Sequence, residues 1–257
     1  MSTHAIGDTA ALTGRSLRHI TRSPDTIITT TVMPIAFLLL FAYVFGGAIT
    51  TGADTGYVTY LLPGILLITI ASGVAYTAFR VFQDLQRGLF ERFRSMPISR
   101  GSVLWAHVLT SLVANLVSVA VVIGVAFVMG FRPTAGPLAW LAAVGLLALV
   151  TLALTWVAVI PGLTASTADG ASAFSYPLIL LPFISSAFVP TGTMPGPVRW
   201  FAEHQPVTAV VDTLRALFTG QPVGPDIWVA LAWLVAILVV AYAAALAVYR
   251  RRGGAAG

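Results

Sequence analysis

Apolar positions along this chain fall into long blocks, and the polar and charged positions gather between them. Six blocks lie near residues 27–49, 58–79, 103–129, 138–160, 171–189 and 227–249. Each has the length for a helix crossing a hydrocarbon core of about 30 Å, which takes roughly 20 apolar residues. Pro177 and Pro182 interrupt the fifth block. Spans tolerate proline where neighbouring groups satisfy the freed carbonyls. The pattern predicts an all-α integral membrane protein of six transmembrane helices, in a single domain over residues 1–257.

The polar block between the second and third runs, Asp84 to Arg100, has a periodicity of its own. At helical spacing Leu85, Leu89, Phe93 and Met96 share one face, while Arg87, Glu91 and Arg94 share the other. Arg87 and Glu91 stand one turn apart and can pair. Pro97 closes the helix, because the residue before a proline is pushed out of the α region. On charge alone this is a basic loop of the kind that stays in the cytoplasm. The full amphipathic pattern, ended by Ser95-Met96-Pro97, favours a docking element for a partner over residues 84–96.

Residues 10–22 form a second amphipathic stretch, with Arg15, Arg18 and Arg22 on one face and Leu17 and Ile20 turned away. They read equally as an interfacial helix whose arginines reach anionic lipid and as a basic lead-in to the first span. The following run is too long for a signal peptide. Between the fifth and sixth runs, the prolines and glycines of 190–197 mark a break. The stretch after it carries Asp212 and Arg215 on the polar side of an amphipathic helix. One or two short helices on the outer surface are expected over 194–218.

Six spans place the N-terminus, the loops around 80–102 and 161–170, and the C-terminus on one side. That side holds eleven arginines (Arg15, Arg18, Arg22, Arg80, Arg87, Arg92, Arg94, Arg100, Arg250, Arg251 and Arg252) and the other only Arg132, Arg199 and Arg215. Both termini are therefore expected in the cytoplasm. Composition agrees with membrane residence. The chain is 58% hydrophobic and 9% charged, whereas a soluble domain carries about 25% charged residues.

Candidate chemistry is sparse. All fourteen basic residues are arginine, so the lysine of a phosphate-binding loop is missing. There is no cysteine, which removes disulfides, thiol catalysis and thiolate metal sites. The four histidines are scattered and form no zinc-binding helix motif, so no catalytic or metal site is expected. His107 reads as a hydrogen-bonded interface residue rather than a base. The net charge of +5 comes from arginines beside apolar runs, a topology signal rather than a nucleic-acid footprint.

The acids fall outside the six blocks, unlike those of an ion-driven carrier. Polar groups within the blocks are hydroxyls and amides: Thr69, Ser72, Tyr76, Asn115, Ser118, Thr151, Thr155, Ser185 and Ser186. Each taken singly reads first as helix–helix packing. Thr69, Ser72, Tyr76, Asn115, Ser185 and Ser186 remain candidates for lining a path. Energy for moving anything would have to enter from outside the chain, at the Asp84–Arg100 element.

Four stretches carry a family resemblance. They are Arg22-Ser-Pro leading through Pro34 to Leu38–Ile49; Tyr60-Leu-Leu-Pro-Gly64; Arg87-Gly-Leu-Phe-Glu-Arg-Phe-Arg-Ser-Met-Pro-Ile-Ser-Arg100; and Ala187-Phe-Val-Pro190 with Met194-Pro195 and Phe201–Thr208, on to Leu214-Arg-Ala216. In that order, over nearly the whole chain, they resemble the membrane subunit of ABC-2-type exporters, particularly the daunorubicin-resistance permease group. The external motif of that group often reads Asn-Pro-x-Thr; here Gln205 precedes Pro206 and Thr208.

The resemblance implies a permease half in the plasma membrane that exports a hydrophobic or amphiphilic compound. It implies pairing with a second half, most simply an identical chain. A separate ATP-binding subunit would use ATP and Mg, with no cofactor in this chain. It also implies that Arg87, Glu91, Arg92, Phe93, Arg94 and Met96 meet that subunit as a cytoplasmic coupling helix. Export of lipid or lipid-linked glycan, and a membrane scaffold without transport, are the alternatives.

Overall fold

The computed structural model describes residues 24–46, 56–88 and 100–254. The expected N-terminal helix with Arg15, Arg18 and Arg22 lies outside the described residues. So do residues 89–99, with Glu91, Arg92, Phe93, Arg94 and Met96.

The described residues are all helix and connection. In chain order the helices are α1 (Pro24–Leu39), α2 (Tyr57–Gln86), α3 (Arg100–Val128), α4 (Pro137–Thr164), α5 (Ala168–Ala173), α6 (Ser175–Leu180), α7 (Gly196–His204), α8 (Pro206–Thr219) and α9 (Asp226–Gly254). A wider π-type turn, Leu40–Phe45, continues α1.

Among the described residues, five helices are long and apolar enough to cross a membrane: Ile28–Phe45, Tyr57–Gln86, Leu104–Val128, Pro137–Thr164 and Asp226–Arg251. The expected fifth span, 171–189, is not among them. It is broken into α5, α6 and a 3-10 turn at Leu181–Ile184. Pro177 and Pro182 offer no backbone N–H for the helical ladder, and their rings crowd the preceding turn.

Helix α2 is the centre of the bundle. Its 30 residues span about 45 Å, and its side chains from Thr59 to Ala71 are all buried. A helix apolar on every face belongs inside a bundle rather than on its surface. Glycines let neighbours approach it closely. A Cβ on Gly64 would stand 2.5 Å from Ala187 Cβ, and one on Gly162 of α4 would stand 2.8 Å from Val81 Cβ. Gly64 and Val81 lie about 25 Å apart along α2 at 1.5 Å per residue. The broken segment therefore begins where α4 ends, near Val81, and returns the chain to the level of Gly64.

Two apolar clusters mark the two ends. Val81, Leu104, Val108, Trp156, Val159, Leu163, Ala241 and Ala245 pack together at one. Leu61, Ile65, Phe131, Leu147, Phe188, Phe218 and Leu234 belong to the larger cluster, which fills the middle and the other end. The first end carries Arg80, Arg87, Arg100, Arg250 and Arg251; the second carries Arg132, Arg199 and Arg215.

Outward faces are apolar: Val128 is 89% exposed, Leu138 81% and Trp228 73%. Apolar patches of this extent do not suit water and do suit lipid.

The helix expected over 84–96 starts differently. Asp84 to Gln86 are the last turn of α2. Gly88 then takes a positive φ of 66°, a left-handed conformation that glycine adopts without a Cβ penalty. Arg87 N–H donates to Gln83 O, and Gly88 N–H to Leu85 O, closing the helix end. One continuous helix from Asp84 to Met96 is thus replaced by a stop at Arg87–Gly88.

Candidate functional site

Two polar clusters stand out in this apolar bundle. The first is a cleft between α1, α2 and α3 in the half nearer the arginine-rich end. It is open on one side, and its walls include Thr30, Tyr76, Arg80, Thr110, Asn115 and Ser118.

Helical spacing explains the wall. Gly73, Thr77 and Arg80 recur at four and three residues on α2, as do His107, Ser111, Asn115 and Ser118 on α3. Thr77 Oγ1 lies 2.6 Å from Ser111 Oγ, and Ser111 Oγ lies 3.4 Å from Thr155 Oγ1 of α4. Asn115 Nδ2 donates to Ser111 O at 3.0 Å and to Ser111 Oγ at 3.2 Å. Thr30 Oγ1 meets Ser118 Oγ at 3.1 Å, tying α1 to α3. His107 Nε2 stands 3.4 Å from Asp84 Oδ2.

The absence of a side chain at Gly73 makes room for Asn115, since a Cβ there would fall 1.9 Å from Asn115 Oδ1. That oxygen and Thr110 Oγ1 are buried without a hydrogen-bond partner.

The second cluster lies at the opposite end, where the broken segment meets α2 and α8. Arg215 Nη1 contacts Asp212 Oδ1 at 2.5 Å, and Nη2 donates to Ser186 O at 2.8 Å. Nε and Nη2 each stand 3.3 Å from Tyr60 O, and the guanidinium carbon sits 3.9 Å from the centre of the Tyr60 ring. Ser186 Oγ donates to Asp212 Oδ1 at 2.7 Å. One arginine fork thereby joins three elements, a geometry lysine cannot reproduce.

The Gln205-Pro206-Val207-Thr208 motif serves the same junction. Gln205 precedes α8 and Pro206 opens it, where a missing N–H leaves no helical bond unmade. Gln205 Nε2 donates to Ile184 O. Thr208 Oγ1 donates to Ala202 O at 2.5 Å and lies 3.4 Å from the Ser186 amide. Thr208→Val removes both contacts and is expected to cost about 1–3 kcal/mol, read as a lower unfolding temperature in detergent. An unchanged midpoint would remove this role.

On α7, Arg199 pairs with Glu203 at 2.7 Å in the open, and that hydrogen bond holds the Glu203 carboxyl below its ordinary range. Trp200, two-thirds exposed, stands on the same short helix.

The expected path residues divide. Tyr76 and Asn115 line the cleft. Thr69 and Ser72 bond back to Ile65 O and Ile68 O of their own helix. Ser185 Oγ donates to Pro182 O and accepts from the Ala187 amide, while Ser186 belongs to the Arg215 junction. Of the expected coupling residues, Arg87 caps α2 and the rest lie outside the described residues.

Sequence reasoning missed Tyr60, Gly73, Thr77, Arg80 and Ser111 as site residues, and saw Asp212 and Arg215 only as a polar face. The acid and base three residues apart, in an otherwise apolar helix, were the available signal for the last two.

Known proteins resemble this chain along most of its length. The family model described as ABC-2 type transporter matches residues 8–219. The daunorubicin resistance ABC transporter permease protein DrrB1 of Streptomyces coeruleorubidus is 26% identical over 252 residues, covering 96% of this chain and 88% of the relative. The probable doxorubicin resistance ABC transporter permease protein DrrC of Mycobacterium tuberculosis is 27% identical over 250 residues, with 96% and 89% covered. A putative transport permease, ycf38, of Pyropia yezoensis is 24% identical over 220 residues, with 84% and 75% covered. A match over four-fifths of the sequence, on a bundle whose exterior suits lipid, makes the chain a member of the ABC-2 type transporter family, a multi-pass permease subunit of the plasma membrane.

Proposed function

We propose that this chain is the permease half of an exporter for a hydrophobic or amphiphilic compound, driven by a separate ATP-binding subunit that consumes ATP and Mg. The observation that carries the reading is the match, across 96% of the chain, to permeases named for resistance to daunorubicin and doxorubicin. Both are compounds that a resistant cell must keep out.

The segment 168–184 serves as a sixth, broken crossing in this reading. Its return from the level of Val81 to that of Gly64 supports this, and six crossings bring both termini to the arginine-rich, cytoplasmic side. Helices α7 and α8 then form the external hairpin. Residues 10–22 lie at the inner headgroup layer through Arg15, Arg18 and Arg22. Two identical halves pair around the path.

The ATP-binding subunit docks on the stretch beyond Gly88, where Glu91, Arg92, Phe93, Arg94 and Met96 follow Arg87. The left-handed stop at Gly88 lets the chain turn away from α2 there, so a push on that stretch reaches α2, the most buried helix of the bundle.

Co-expression with the cognate ATP-binding subunit is expected to yield a stable complex with ATP-dependent drug efflux, whereas the chain alone hydrolyses no ATP. Glu91→Arg with Arg94→Glu is expected to lower efflux at least tenfold, with the permease still inserted in the membrane. Unchanged complex formation and efflux in that variant would overturn the docking assignment. Vectorial movement by the chain alone would overturn the proposal itself.

A further inference from the structure

The cleft between α1, α2 and α3 has a polar wall whose bonding capacity is not used up. Asn115 is 2% exposed and Thr110 3%, yet Asn115 Oδ1 and Thr110 Oγ1 have no hydrogen-bond partner. Buried polar groups are ordinarily paired, so an acceptor and a hydroxyl left open in one cleft point to something that enters it. Half-buried Arg80 lines the same cleft and makes no ion pair among the described residues, because Asp84, one turn on, faces His107. Tyr76 adds a partly exposed phenol to the wall.

Depth narrows the ligand. Arg80 stands about 13 Å from the midpoint of α2 along its axis, and half a hydrocarbon core is about 15 Å. With α2 centred in the bilayer, its guanidinium lies at the boundary between acyl chains and headgroups, in the leaflet at the arginine-rich end. An anionic group there meets a cation with planar donors that suit phosphate or carboxylate. Hydroxyl or amine donors beside that anion would meet the open oxygens of Thr110 and Asn115, which lie deeper. The apolar remainder of such a molecule stays in the surrounding lipid.

We propose that this cleft binds the anionic headgroup of an amphiphile that carries hydroxyl or amine donors next to its charge. A membrane phospholipid has this chemistry, and an exported anionic amphiphile would share it. The inference deepens the export reading by naming a class of cargo headgroup, but the binding itself requires no ATP-binding subunit.

The test uses the full-length chain in phosphatidylcholine nanodiscs, with spin-labelled phosphatidylglycerol or phosphatidylcholine as probe. The immobilised fraction seen by electron paramagnetic resonance gives relative affinity. Phosphatidylglycerol is expected to be preferred, and Arg80→Gln to weaken its binding about tenfold, the loss of one charged hydrogen-bonded contact. Thr110→Val, which keeps the side-chain shape, is expected to weaken it several-fold less. Arg250→Gln, at the same end but exposed, is the control for general surface charge and is expected to leave binding unchanged.

Soluble sn-glycerol 1-phosphate as competitor separates the sources. Displacement of the probe means that the headgroup alone suffices, so non-lipid anions qualify. No displacement assigns the cleft to membrane lipid. Equal binding of the two probes, or an Arg80→Gln variant no weaker than Arg250→Gln, overturns the site and leaves the export reading standing. Loss of ATP-driven efflux activity with probe binding intact would do the reverse.

Discussion

Arg215→Ala is expected to lower stability by about 3 kcal/mol, a fall of roughly 6–12 °C in the unfolding midpoint. The side chain is 17% exposed and its carboxylate partner 33%, so the lower end of the range for a buried pair applies. Loss of the guanidinium strands Asp212 and leaves the Ser186 and Tyr60 carbonyls short of a donor. It also removes the stacking on the Tyr60 ring.

Arg215→Lys is expected to recover less than half of the loss, because one ammonium cannot serve acceptors on three elements. The comparison is Arg199→Ala, whose exposed pair with Glu203 is worth at most about 1 kcal/mol. Thermal unfolding of the detergent-solubilised chain reads all three. If Arg215→Ala and Arg199→Ala shift the midpoint equally, the junction carries no special weight.

Gly64→Ala is expected to cost about 1–3 kcal/mol although alanine is the better helix former. The added Cβ would stand 2.5 Å from that of Ala187, closer than two carbons can approach. Helix α2 and the broken segment must move apart, which also strains the nearby Arg215–Ser186 contact. Relief comes from the partner side: Ala187→Gly in the same chain removes the clashing carbon and is expected to restore most of the midpoint. A double variant no better than Gly64→Ala alone would mean that the clash is not the cause. In cells, Gly64→Ala is expected to reduce the amount of permease in the membrane, and the rescue to raise it again.

Much of the bundle can be read from one dimension because the solvent is lipid. A helix must satisfy its own backbone bonds there, so an apolar run of sufficient length has one available structure. That is why 58–79, 138–160 and 227–249 each fall within an observed helix, and 103–129 does so up to Val128. Helix ends were harder. The amphipathic pattern from Leu85 to Met96 pointed to one helix, but Gly88 accommodates a left-handed turn that periodicity does not report. The fifth run failed for a related reason. Its apolar content was sufficient, but Pro177 and Pro182 withhold donors at two points close together, so three short pieces form in place of one helix.

The candidate site was less visible. Tyr76 and Asn115 were singled out as polar residues in apolar runs, and they do share the cleft. Their partners Thr77 and Ser111 carry the same signal, but which hydroxyls face one another depends on how α2 rotates against α3. Thr69 and Ser72 show the other outcome, closing onto carbonyls of their own helix.

By itself the chain determined that it lives in a membrane and where most of its helices run. Those properties follow from hydropathy and charge, which are local and additive. Tertiary structure decided the rest: the bond of Arg215 to carbonyls 29 and 155 residues away, the space over Gly73 that Asn115 fills, and the oxygens left open in the cleft. These are matters of which surfaces meet, and close packing between helices settles them only when the whole bundle is assembled.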